Sequence, residues 1–257
     1  MIKYILIFSL LGFSSFTLLA QTISHNQNAW LHYVGTFHLT KKTSTTFEAT
    51  MRYTNGFTEK QQYFIRPSFD YQVNKYITGS IGFTHYTTYV YGSPAINKRP
   101  TPENHVWLQI VSAHQVGSIK LTNRLRNEFR FVGIATPTVT NPLSQDDYVI
   151  QDYTFRDRFR YMFLATVPLY RMKNQQKVVG ILGDEAFINI GKLGSDVTKN
   201  EVGNTRMNQN RIISGLGYIF NARCQVQVAY IHQTIWNFPN TIRESNPTVR
   251  TTLITKI

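Results

Sequence analysis

Lys120-Leu121-Thr122-Asn123-Arg124-Leu125-Arg126-Asn127-Glu128-Phe129-Arg130-Phe131 has a period of two. Lys120, Thr122, Arg124, Arg126, Glu128 and Arg130 fall on one side. Leu121, Leu125, Phe129 and Phe131 fall on the other, with Asn123 and Asn127 between them. Successive side chains of a β-strand point to opposite faces, so this spacing predicts a strand with one charged and one apolar face. Thr154 to Val167 repeats it, setting Phe155, Phe159, Tyr161, Phe163 and Val167 against Arg156, Arg158 and Arg160. Tyr63 to Val73 does so again, with Tyr63, Ile65, Phe69, Tyr71 and Val73 opposite Arg66, Ser68, Asp70 and Gln72.

Eleven such runs lie near residues 29–39, 44–53, 61–73, 76–89, 104–116, 118–132, 154–168, 178–190, 207–220, 223–236 and 247–257. Several exceed the ~5–6 residues usual in globular proteins and match the ~9–11 residues of a strand tilted across a bilayer. Short turns at Asn74-Lys75, Gly117 and Asn221-Ala222 alternate with longer polar segments at Val90–Pro102, Gly133–Tyr153, Gly191–Arg206 and Asn237–Asn246. Pro94, Pro100, Pro102, Pro137, Pro142 and Pro239 all fall in those longer segments, where a missing N–H is harmless. The expected fold is all-β: a closed antiparallel up-and-down transmembrane β-barrel, since only closure satisfies every backbone group of a sheet in lipid. Bacterial barrels of this type carry even strand numbers, so eleven runs predict a missed or split strand and a total of ten or twelve.

Composition narrows the class from another side. Of 257 residues 42% are hydrophobic, 14% aromatic and only 16% charged, which excludes a disordered chain. One Cys excludes a disulfide scaffold. Lys3, the apolar stretch Tyr4–Leu19 and the small Ala20 before Gln21 have the layout of a secretory signal peptide cut after residue 20. The expected organisation is therefore residues 1–20 as signal and 21–257 as one barrel domain, exported to a bacterial outer membrane. Period two by itself leaves a second arrangement open, a soluble barrel with apolar residues inward and arginines in water. Export, strand length, loop asymmetry and the abundance of Tyr and Phe favour the inverted arrangement, with rings in lipid and arginines lining the lumen.

The chain resembles a known family through several short blocks in order. These are Trp30, Gln61-Gln62-Tyr63-Phe64-Ile65-Arg66-Pro67, Glu103-Asn104-His105-Val106-Trp107-Leu108-Gln109 and Asn123 to Arg130. Arg158-Phe159-Arg160-Tyr161, Glu185-Ala186-Phe187-Ile188-Asn189 and Asn210-Arg211 before Gly215-Leu216-Gly217-Tyr218 follow. The resemblance is to the domain of unknown function 2490, exported proteins mostly of Bacteroidetes-type bacteria. It implies an outer-membrane barrel over essentially the whole mature chain and brings no activity, substrate or catalytic residue.

The expected lumen-facing cluster is Arg66, Arg124, Arg126, Glu128, Arg130, Arg156, Arg158, Arg160, Glu185 and Arg211. Guanidinium groups fork onto carboxylates, so the cluster reads either as a salt-bridged plug or as a constriction that attracts small anions. There is no Gly-x-Ser-x-Gly and no His-Glu-x-x-His; Glu103 and His105 share a face two residues apart and could pair, an arrangement common between polar neighbours on a wet face. Gly215-x-Gly217 lacks the third glycine of a dinucleotide loop, and no ligand spacing argues for a metal or other cofactor. The net charge of +13 lacks the dense basic patch with interleaved aromatics that nucleic acid needs. Lys98, Arg99, Lys192, Lys199, Arg206 and Arg243 instead suit lipopolysaccharide phosphates, and Cys224 by a short turn reads as an inert residue at the lipid interface. The expected role is a non-enzymatic small porin-like or structural membrane protein. An outer-membrane lipid-modifying enzyme and a soluble periplasmic lipocalin-like barrel for a lipophilic ligand are the alternatives.

Overall fold

The structure, a computed structural model, describes residues 21–137, 148–173, 175–190, 207–237 and 241–257. Twelve strand segments follow one another: β1 (Thr22–His25), β2 (Asn28–His38), β3 (Thr43–Thr54), β4 (Glu59–Gln72), β5 (Ile77–Thr88) and β6 (Thr101–Val116). They continue with β7 (Ile119–Pro137), β8 (Tyr148–Met172), β9 (Gln175–Ile190), β10 (Met207–Asn221), β11 (Cys224–Trp236) and β12 (Ile242–Lys256). From β2 to β12 each pairs antiparallel with the next, and β12 returns to pair with the start of the chain. The result is a closed β-barrel.

The closing seam corrects the expected strand number. β12 pairs in parallel with both β1 and β2, and one register serves both. Thr22 lies opposite Ile242, His25 opposite Ser245, Asn28 opposite Thr248 and Thr36 opposite Lys256. β1 and β2 are thus two parts of one stave broken at Asn26-Gln27, and the described residues build eleven staves rather than ten or twelve. An antiparallel meander with an odd number of staves brings its first and last strands together pointing the same way, so it must close in parallel. A parallel ladder still satisfies the backbone, at slightly lower stability per residue. At the break the Gln27 carbonyl accepts from Asn55 N (2.9 Å), while Asn26 Nδ2 donates to Asn246 Oδ1 (3.0 Å).

Other boundaries differ from expectation at the long-loop end. β7 runs on to Pro137 and β8 begins at Tyr148, so much of the expected Gly133–Tyr153 loop is ladder, braced by Thr136 Oγ1 donating to Gln151 Oε1 (3.0 Å). β12 starts at Ile242, which puts Arg243 and Asn246 in a strand. Pro102 and Pro137 also lie in strands, near their ends, where losing a ladder donor is tolerated. The expected signal peptide, the expected Gly191–Arg206 loop with Lys192, Lys199 and Arg206, and Pro142 and Pro239 lie outside the described residues.

Every stave presents apolar side chains outward. Leu31, Met51, Ile65, Ile81, Leu108, Leu125, Phe155, Leu182, Ile212, Val228 and Val249 mark the belt around the circumference, with Leu108 50% and Ile212 56% exposed. The arginines face inward: Arg126 is 2% and Arg158 8% exposed, while Phe129 stacks with Phe155 on the outside (6.5 Å between centroids). Exposed apolar surface of this kind marks a face that contacts a partner, a ligand or a membrane.

The interior is not purely polar, which departs from the expected arginine-lined lumen. Trp30, Val179, Ile181, Ile213, Ala229 and Ile231 form an inward-facing apolar cluster, and Trp107 and Phe187 are also buried inside. Trp107 packs against the missing side chain of Gly82, where an added Cβ would lie 2.2 Å from the indole ring. Its Nε1 donates to Thr84 Oγ1 (3.0 Å), which pins the ring in place. Gly82→Ala is therefore expected to lower unfolding stability by about 1–3 kcal/mol through overpacking, read by urea unfolding in detergent micelles. An unchanged midpoint would mean that the indole has room to yield.

Candidate functional site

The ten charged residues singled out from the sequence all project into the barrel, because each occupies the inward phase of its strand. β7 supplies Arg124, Arg126, Glu128 and Arg130, and β8 supplies Arg156, Arg158 and Arg160. Register sets Arg126 beside Arg160, Glu128 beside Arg158 and Arg130 beside Arg156. Two of these three cross-strand pairs are like-charged, and like charges directly opposite are destabilising without compensation. The carboxylates supply it.

Glu128, fully buried, accepts from Arg158 Nε (2.8 Å) and Nη2 (2.6 Å) and from Arg160 Nη1 (2.5 Å). Arg126 Nη1 approaches the same carboxylate at 3.9 Å. Glu185, from β9, accepts from Arg160 Nε (3.0 Å) and Nη2 (2.6 Å), Arg124 Nη2 (2.5 Å) and Arg211 Nη1 (3.4 Å). Two carboxylates thus organise five guanidiniums. Gln109 Oε1 accepts from Arg126 Nε (2.9 Å) and Nη2 (2.6 Å). With their amide oxygens turned toward it, Gln209 and Gln233 accept from Arg211.

Further charged residues join that the sequence-based cluster did not contain. Glu48 on β3 accepts from Arg66 Nη1 (3.1 Å), with His32 Nε2 at 3.5 Å. Glu103 accepts from Arg130 Nε (3.1 Å) and Nη2 (2.7 Å) and from His105 Nε2 (3.0 Å). Arg52 stacks on Trp30 (4.0 Å from guanidinium carbon to ring centroid), Arg126 on Trp107 (4.2 Å) and Arg160 on Phe187 (4.4 Å). Ring faces attract guanidinium cations, and in a desolvated site such contacts contribute about 2 kcal/mol. The inward aromatics are therefore part of the charge network. Period two could have found Glu48 and Arg52, since Thr46, Glu48, Thr50 and Arg52 alternate in the run at 44–53.

Two interior cavities flank this network. One of about 260 Å³ lies toward the short-turn end. The other, of about 400 Å³, lies toward the long-loop end, and both are bounded by Arg52, Gln62 and Gln209. The segment between β5 and β6 reaches into the upper cavity: Tyr91 OH donates to Glu244 Oε2 (2.9 Å). Burial, then the Glu244 carboxylate, push the Tyr91 phenol well above its ordinary pKa, so it remains a donor. Gly92, at φ +77°, lies where an added Cβ would stand 2.6 Å from Asn26 Oδ1, which sets this segment against the break between β1 and β2.

Two histidines stand beside carboxylates, His105 by Glu103 and His32 by Glu48. His105 Nδ1 has no hydrogen-bond partner, and Arg130 occupies the same Glu103 oxygen as His105 Nε2. Thr252 Oγ1, His32 and Glu48 stand in a row, but at 3.4 and 3.5 Å, with Arg66 closer to that Glu48 oxygen. A hydroxyl is activated by a base within about 2.6–3.2 Å, whose own partner orients it. Among the described residues no group of three or more His, Cys, Asp or Glu is placed to hold a metal ion.

The fold and interior define a closed eleven-stave β-barrel with a salt-bridged arginine–glutamate core. Its sequence matches the family described as "Protein of unknown function (DUF2490)" over residues 27–244, and the chain belongs to that family. No curated protein and no solved structure matches it.

Proposed function

We propose that this chain is an outer-membrane β-barrel without catalytic activity, held shut by its internal arginine–glutamate network. The observation that carries this reading is the inverted distribution of side chains. Aliphatic and aromatic groups cover the outside of every stave while buried guanidiniums and carboxylates fill the inside. Lipid acyl chains are the solvent that suits such an exterior, and a closed barrel is the only sheet that leaves no backbone edge in them. The apolar leader ending at Ala20 suits export, and Lys98 with Arg99 at the long-loop end suits lipopolysaccharide phosphates. Trp30, Trp107 and Phe187, each no more than 2% exposed, take up interior space beside the ion pairs, which favours a structural barrel over an open porin.

Expression of the whole chain in a bacterium with an outer membrane tests this. The expected product begins at Gln21, partitions with outer membranes, needs detergent for extraction and migrates faster in gels before boiling than after. A product that stays soluble without detergent overturns the reading. In planar bilayers the purified barrel is expected to carry no steady current. An anion-selective current, lowered when Arg126 and Arg158 are neutralised, would replace the structural role with that of a pore.

A further inference from the structure

We propose that the cavity on the short-turn side of the barrel binds a small amphipathic carboxylate. Its head would lie among Arg52, Arg124 and Arg250, and its tail against Val34, Leu164, Ile181, Ile213 and Ile254. The proposal deepens the non-catalytic reading of the interior by naming what the network holds.

Charge balance is the first argument. Seven arginines line this cavity with two lining glutamates, Glu48 and Glu185, while Glu128, outside the lining, pairs with Arg158 and Arg160. Glu185 already serves Arg124, Arg160 and Arg211, and Glu48 serves Arg66. A buried cation is costly unless paired and hydrogen-bonded. The Nε atoms of Arg52, Arg124 and Arg250 are buried with no hydrogen-bond partner in the protein. All three belong to the cavity wall. An anion among these three guanidiniums would compensate their charge, and the fork of a guanidinium fits two carboxylate oxygens.

The shape of the wall excludes a bare inorganic anion as the best fit. Along five of the lining strands polar residues give way to apolar ones toward the short turns, whereas β3 and β4 end their part of the lining on Glu48 and Arg66. β10 goes from Arg211 to Ile213, β9 from Glu185 to Ile181, β12 from Arg250 through Thr252 to Ile254, and β8 from Arg160 through Met162 to Leu164. β2 goes from His32 to Val34. These five strands give the cavity an aliphatic patch next to its arginines, the complement of a carboxylate on a hydrocarbon tail. Its volume, about 260 Å³, is below the ~300–1,000 Å³ of drug-sized pockets, which suits a medium-chain acid and not a phospholipid. The upper cavity, with Arg130 and Arg156 on its wall, meets it at Arg52, Gln62 and Gln209 and draws anions toward that boundary.

The test is calorimetric titration of the full barrel in a non-ionic detergent with sodium octanoate, and with octylamine and inorganic phosphate in parallel. Empty micelles give the baseline. The expected result is saturable one-to-one binding of octanoate, none of octylamine, and weaker binding of phosphate. Arg250→Gln and Arg124→Gln should each weaken octanoate about tenfold or more, as loss of a charge-assisted partner does. Ile213→Phe, which fills the aliphatic patch, should weaken octanoate and leave phosphate unchanged. Octanoate uptake no greater than that of micelles, equal uptake of octylamine, or phosphate binding tighter than octanoate would each overturn the proposal, and none of these comparisons depends on a variant folding. A chain that binds octanoate but needs no detergent would sink the membrane reading alone, and a detergent-dependent barrel that binds nothing would sink only this one.

Discussion

Glu128→Gln is expected to prevent stable folding of the barrel, or to lower its unfolding free energy by about 3–5 kcal/mol, the cost of breaking a buried ion pair from one side. The substitution conserves shape and removes only charge. Arg158 then has no carboxylate within ion-pair distance among the described residues, Arg160 keeps Glu185 alone, and Arg126 loses one of its two acidic neighbours. Three buried guanidiniums on adjacent strands would face one another with less compensation. Chemical unfolding in micelles, followed by tryptophan fluorescence, measures the loss directly, because Trp107 lies against Arg126. The double variant Glu128→Leu with Arg158→Met removes the charge pair together and is expected to recover most of the stability, since apolar replacement of a whole buried pair is often neutral or better. If Glu128→Gln unfolds at the wild-type midpoint, the network is not what holds the barrel in shape.

How far this centre could be read from the chain depends on which link is asked about. The strands were legible because both faces of Lys120–Phe131 and Thr154–Val167 are strongly marked, and a one-residue slip would invert every side chain. That the ten charged residues occupy the inward phase follows from the same alternation. Which partner each arginine takes was not legible, because pairing depends on stagger between strands far apart in sequence. Arg124 and Glu185 are 61 residues apart, and nothing in the local pattern at either end points to the other. Inward aromatics were hidden for a different reason. Trp107 and Phe187 sit on the polar phase of their strands, and a rule that sends rings to lipid misplaces them, since it omits their attraction for guanidinium faces. Eleven period-two runs match the eleven staves, and the ten or twelve expected from an even-number rule do not. The parity rule describes barrels closed by antiparallel strands, and a parallel seam is free of it. The four residues of β1 are too few and too polar to show a period, so the first stave looked shorter than it is.

That seam carries the second large effect. Leu31 on β2 and Thr251 on β12 are direct partners in the parallel ladder, yet they stand at opposite ends of the chain. Cysteines placed at both positions in a Cys224→Ser background are expected to form a disulfide in the folded barrel, giving a species that migrates as a closed circle of chain in denaturing gels and reverts on reduction. In the chain-entropy model a link closing roughly 220 residues removes enough freedom from the unfolded state to stabilise the barrel by about 5 kcal/mol. An enlarged stability is expected only if the two strands are native neighbours. Leu31 paired with a cysteine at Val249 or Leu253, one outward-facing step away on either side, is the register control and should cross-link less readily. A barrel of ten or twelve staves would close in antiparallel, and its last strand would meet the first with the opposite order of residues. The three cysteine pairs would then show no preference for Thr251, and the eleven-stave closure would have to be abandoned. The consequence reaches the arginine network too. With the seam open, Arg250 no longer stands beside Trp30, its partner across the ladder, and the wall of the lower cavity is incomplete. Parallel closure is therefore the geometric condition for the cationic chamber inside.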